Sequence, residues 1–109
     1  MDLEQALIEK IESLGKISWK RMFGMQAILI DGKLMGGYKK IDENVLYLML
    51  ILSKKGFEEA LDSGYFSKFD FGNTWVESEL TSEEDLQRST ETLIDSFSFV
   101  KSKEKKKKK

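Results

Sequence analysis

The sequence predicts an α+β fold: a two-layer α/β arrangement in the order α-β-β-β-α-β-β-α, with helices packed on an antiparallel five-stranded sheet. Three observations predict it. Leu3, Leu7, Ile11 and Leu14 recur at helical spacing near the start of the chain. Two turn pairs, Asp31-Gly32 and Gly72-Asn73, each divide a pair of β-rich stretches. Leu86, Leu93, Ile94, Phe97 and Val100 form a second helical stripe toward the end.

In the first helix Glu4, Glu9, Lys10 and Glu12 occupy the faces that the apolar stripe leaves free, and Gly15 supplies a stop. Strands over Met25–Ile30 and Lys33–Tyr38 flank Asp31-Gly32, a pair that tolerates the positive φ angles of a two-residue hairpin. Gly36 and Gly37 inside the second of these mark a bulge or a close approach. Val45–Leu52 is an unbroken apolar run, which reads as a third strand buried on both faces or at the sheet centre. Ser53 caps a helix with Phe57, Ala60 and Leu61 inward and Gly64 at its end. Ser67–Phe71 and Thr74–Glu79 are short strands joined through Gly72-Asn73 by a II′-type turn. Thr81 or Ser82, ahead of Glu84 and Asp85, opens the last helix by a capping arrangement.

A chain of 109 residues with 40% hydrophobic positions suits one compact domain. Cys, His and Pro are all missing, which removes disulfides, thiolate nucleophiles, the usual zinc ligands and imidazole-based triads. The apolar run at Val45–Leu52 has eight residues, far short of the roughly 20 that span a bilayer. No membrane insertion is expected. Met1-Asp2-Leu3-Glu4 carries no basic export signature, so the expected compartment is the cytoplasm. Charge is divided unevenly: seven lysines and one acid give Lys101–Lys109 plus six, leaving minus seven on residues 1–100. The expected organisation is therefore a domain over 1–100 and a lysine-rich, open tail over 101–109, where like charges repel.

Few motifs carry chemistry. Asp70-Phe71-Gly72 spells a kinase metal-holding triplet without the glycine-rich loop or catalytic loop that give it meaning, so it reads as a strand end with Phe71 in the core. Glu77 and Glu79 alternate on one side of a strand, either as a polar edge or as a carboxylate pair able to share a proton or bind a hard cation. Trp19-Lys20-Arg21-Met22-Phe23 interleaves aromatic and basic residues, the composition of a stacking platform, a protein interface or a packed hairpin anchor. Trp75 carries the same alternatives. Lys105, Lys106, Lys107, Lys108 and Lys109 form a candidate polyanion-binding tail. No residue set calls for a metal, a cofactor or a small-molecule substrate. No nucleophile, base and orienting group come together in the sequence, so a non-enzyme is expected.

Lys20-Arg21-Met22-Phe23-Gly24, followed by Ala27-Ile28-Leu29-Ile30-Asp31-Gly32-Lys33-Leu34, resembles the Arg-Met-Phe-Gly opening and hairpin of the TfoX/Sxy N-terminal domain family. Leu46-Tyr47-Leu48, Gly56-Phe57-Glu58-Glu59-Ala60-Leu61, Phe69-Asp70-Phe71-Gly72, Trp75-Val76-Glu77 and the helix Asp85–Val100 resemble later landmarks in the same order. Met25 stands where family members commonly have a second glycine.

The resemblance implies the same α-β-β-β-α-β-β-α order and a non-enzymatic regulatory or adaptor module working by protein–protein interaction, with a protein partner or a homodimer. Competence regulators of that family are thought to act with a cyclic-AMP-responsive activator and usually carry a second, helical domain, where this chain has polylysine. Arg21, Met22, Phe23 and Gly24 carry over as a fold signature and possible interface, with no catalytic role. The alternative is a nucleic-acid-associated factor using the lysine tail and Trp19–Phe23.

Overall fold

A computed structural model describes residues 2–70 and 72–107, the last five of these as backbone only. The elements are α1 (Leu3–Glu12), β1 (Ser18–Met22), β2 (Met25–Ile30), β3 (Lys33–Asp42), β4 (Val45–Ile51), α2 (Lys54–Ser63), β5 (Ser67–Lys68), β6 (Trp75–Leu80), α3 (Glu83–Arg88) and α4 (Thr90–Lys107). They form an α+β domain whose antiparallel sheet runs β1-β2-β3-β4-β6-β5 with helices packed on it. The sheet has six strands instead of the expected five. The extra one is β1, whose exposed positions lack two-fold alternation because it is an edge strand paired only with β2 and carries Lys20 and Arg21.

Strand alternation sorts the core. Ile28 and Ile30, Tyr38, Leu46, Leu48 and Leu50, Val76 and Leu80 share one sheet face and are buried beneath Leu3, Leu7 and Ile11 of α1 and Leu93 and Val100 of α4. β4 lies at the sheet centre, as the apolar run suggests, but only its even-numbered residues are fully buried. The helices all serve that one side, so Val45, Tyr47, Met49 and Ile51 stay half-buried on the other.

Close packing at the middle of β3 accounts for Gly36. A Cβ there would run into the Met49 carbonyl oxygen and lie 3.0 Å from Leu50 Cα. The register slips between Ile28 and Leu29, which pair with Gly36 and Leu34 and leave Met35 as the extra residue of a bulge. Met35 is fully buried, and its carbonyl accepts from Ser96 Oγ on α4 at 3.2 Å. Ser96 is itself buried, so each polar group satisfies the other where no ladder bond is on offer.

Helix starts follow the capping chemistry. Asp2 accepts from Glu4 N and Gln5 N, Ser53 Oγ from Gly56 N, and Ser82 Oγ from Asp85 N. Asp85 reciprocates by accepting from Thr81 N and Thr81 Oγ1. These bonds, led by the Thr81 backbone N–H, hold the Asp85 carboxyl below the ordinary carboxylate range.

The expected final helix is two helices meeting at Ser89. Its hydroxyl donates to the Asp85 carbonyl at 3.0 Å, a local competition with the helical ladder, and Thr90 alongside accepts from Lys10 Nζ. The buried stripe of α4 is Leu93, Ser96 and Val100, with Phe97 partly buried. Ile94, expected inside, is one residue off that stripe and 47% exposed. α4 also runs through Lys107, into the segment expected to be an open tail; lysine is a good helix former and complements the C-terminal end of the dipole.

The β5–β6 link differs too. Pairing stops at Lys68 and Val76, with Phe69 N bonded to Trp75 O, so the link between the strands is longer than a two-residue II′ turn. Gly72 lies against the Trp75 indole, where an added Cβ would meet the ring. The expectation that Phe71 is a core residue falls outside the described residues.

Candidate functional site

The sheet face opposite the helices is bare. Register places Lys20, Ala27, Gly37, Met49 and Glu77 in one row across five strands, all on the side away from Leu48. In the neighbouring rows Lys39 faces Tyr47, which faces Glu79, and Ile51 faces Trp75. Met25, Leu29, Tyr47, Met49 and Trp75 are half-buried and do not belong to the core packed under the helices. Among the described residues, nothing is layered over this face.

The β1–β2 turn is its second unusual feature. Met22 pairs with Met25 around Phe23-Gly24, and both central residues have positive φ, +54° and +72°. Asp31-Gly32 makes the β2–β3 turn the same way, with φ of +51° and +79°. Aspartate suits such a turn; phenylalanine does not, because its Cβ crowds the backbone there. Phe23 is nonetheless 89% exposed. Nothing in the fold's own packing accounts for an aromatic at this tip.

The structure divides the residues singled out in the sequence. Trp19 and Arg21 point to the helix side of β1, Lys20 and Met22 to the bare side, and Phe23 with Gly24 forms the tip. Trp19 packs edge-on to Tyr38, ring centres 5.8 Å apart, and its indole N–H donates to Glu12 Oε2 at 2.9 Å. It is a packing residue that fastens β1 to the end of α1. Trp75 lies on the bare face, four strands from β1 in the sheet order. Trp19 to Phe23 therefore do not form one continuous platform. Tail lysines Lys105 to Lys109 have their side chains outside the described residues.

Glu77 and Glu79 do share a side, as alternation predicts. They lie on the bare face, where the Tyr47 hydroxyl donates to Glu77 Oε1 at 2.6 Å. Burial, then the hydrogen bond and charge of Glu77, push the Tyr47 phenol well above its ordinary range. Glu77 has a phenol for its partner and Glu79 is exposed, so the pair forms a polar border. Tyr38 is raised in the same way, by burial first and then by its bond to Glu4.

A cavity of about 310 Å³ lies between α2 and α4, bordered by Glu59, Tyr65, Arg88, Glu91 and Asp95. Two of its charged groups already have partners: Arg88 sits 4.5 Å from the centre of the Tyr65 ring and pairs with Glu84 and Asp85, while Asp95 accepts from Ser53 N and Ser53 Oγ. Among the described residues no group of three or more acidic side chains is gathered to hold a metal ion, and no helix is long and apolar enough to cross a membrane.

The features above define a class, a two-layer α+β domain with one apolar sheet face uncovered and an aromatic-tipped hairpin at the end of two of its strands. No protein-family model, no curated protein and no solved structure matches the chain.

Proposed function

We propose that this chain is a non-enzymatic regulatory or adaptor module that works by protein–protein interaction, as its resemblance to the N-terminal domain of TfoX-type competence regulators implies. The observation that carries the proposal is the bare apolar face of β2, β3, β4 and β6, accompanied by Phe23 at 89% exposure. Exposed contiguous apolar surface mixed with aromatic anchors is characteristic of protein interfaces. A role in transcription regulation follows from the resemblance and, with the expected cytoplasmic location, belongs to the proposal. The nucleic-acid alternative is weakened because strand alternation splits Trp19 from Met22 and Phe23, and because the bare face carries acids along one border.

Affinity capture from cell extract tests this, using immobilised full-length chain, Met49→Lys, and a deletion of Lys105–Lys109, each with and without nuclease. A discrete protein retained after nuclease by the wild type and the deletion, and lost with Met49→Lys, is the expected result. Recovery that disappears with nuclease and with the deletion would overturn it in favour of nucleic acid.

A further inference from the structure

We infer that Met22, Met25 and Met49 are sites of reversible oxidation, through which a hydroperoxide switches the bare sheet face from apolar to polar. The inference rests on the interaction-module reading and gives that same face a means of regulation.

Register joins the three thioethers into one track. Met22 pairs with Met25 across β1 and β2, the Met25 methyl carbon lies 3.5 Å from where a Cβ at Gly37 would stand, and Gly37 pairs with Met49 on β4. The missing side chain at Gly37 leaves the space beside which the Met25 methyl lies. All three methionines are half-buried on the bare side, whereas Met35 is fully buried in the core. Solvent reaches the three and not the fourth.

The chain has no cysteine, so methionine is the sulfur on which reversible oxidation can act. Hydrogen peroxide transfers one oxygen atom to the thioether: the sulfur lone pair forms the S–O bond, the O–O bond breaks, the sulfur loses two electrons, and the proton moves to the departing oxygen, which leaves as water. Methionine sulfoxide reductases reverse the step with a dithiol, which becomes a disulfide as water is released.

Methionine is flexible and polarisable and moulds itself to an apolar partner. Its sulfoxide is polar and chiral, and disrupts such contacts. None of the three belongs to the core under the helices, so the change falls on the face and spares the fold.

Hydrogen peroxide on the full chain tests this, with oxygen uptake at each methionine followed by peptide mass spectrometry. We expect Met22, Met25 and Met49 to oxidise about tenfold or more faster than Met35 in the folded chain, and all four to oxidise alike in urea. Anilinonaphthalene sulfonate, a dye that binds exposed apolar surface, reports the face itself. Its fluorescence should fall about twofold or more on oxidation and return after treatment with reductases for both sulfoxide epimers and a dithiol. A triple variant, Met22→Leu, Met25→Leu and Met49→Leu, keeps the apolar volume and should hold its dye signal in peroxide. Far-ultraviolet circular dichroism should be the same for all forms. In the capture experiment, peroxide treatment should release the retained protein from the wild type and not from the triple variant.

Met35 oxidising as fast as the other three overturns the inference, as does a dye signal unchanged by oxidation, an equal loss of signal in the triple variant, or unfolding of the oxidised chain. Absence of any captured protein counts against the interaction-module reading alone, because the peptide map and the dye need no partner.

Discussion

Tyr47 and Glu77 meet diagonally across the β4–β6 pair, phenol to carboxylate at 2.6 Å, although their direct strand partners are Glu79 and Met49. Burial first and then this bond hold the proton on Tyr47, as burial and Glu4 hold the one on Tyr38. A phenol whose folded pKa is raised contributes stability that is fully present below the ordinary value near 10 and is lost as pH rises through the folded value. The chain should therefore lose melting temperature steeply as pH rises above about 10. Tyr47→Phe should flatten the alkaline limb and remove one late-titrating phenol from the ultraviolet absorbance titration; identical alkaline limbs would count against the assignment.

Gly36 and Gly37 are adjacent but should respond differently to a methyl group. At Gly36 the new Cβ meets the Met49 carbonyl and the Leu50 backbone, atoms that cannot turn aside, whereas at Gly37 the nearest approach is 3.1 Å to the Gln26 carbonyl. Gly36→Ala should cost about 1–3 kcal/mol, the range of core overpacking, and Gly37→Ala clearly less. Urea midpoints for the two variants read the difference directly.

Phe23 adopts a backbone conformation that costs a bulky residue about 1–2 kcal/mol and suits asparagine far better. Phe23→Asn should raise stability by about 1 kcal/mol while removing the aromatic from the hairpin tip. A thermal shift to higher temperature, accompanied by weaker partner capture, is the expected pair of results. Unchanged or lower stability would show that the ring makes contacts which offset its backbone strain.

Local chemistry made much of the fold legible. Ser53 and Ser82 announced their helices because a capping oxygen is a short-range device, and Asp31-Gly32 announced its hairpin because few pairs accept two positive φ angles. β1 was hidden because an edge strand with one neighbour needs no alternation, and Trp19 could not be sorted from Phe23 until the register was known. The break at Ser89 depends on one hydroxyl turning back to Asp85, which helical periodicity does not register.

The candidate site was the least legible part. Val45–Leu52 looked equally suited to cover on both sides, and only the gathering of the helices on the Leu46, Leu48 and Leu50 side of the sheet leaves Met49 and Tyr47 half-buried on the other.

The two margins of the sheet bear on what this molecule can build. β5 has only two residues, and β1 presents Lys20 and Arg21 along its open side. Neither offers a long, flat template for another chain's backbone, so the sheet does not extend sideways from molecule to molecule. Growth of the sheet into fibres by repeated edge pairing is thereby disfavoured.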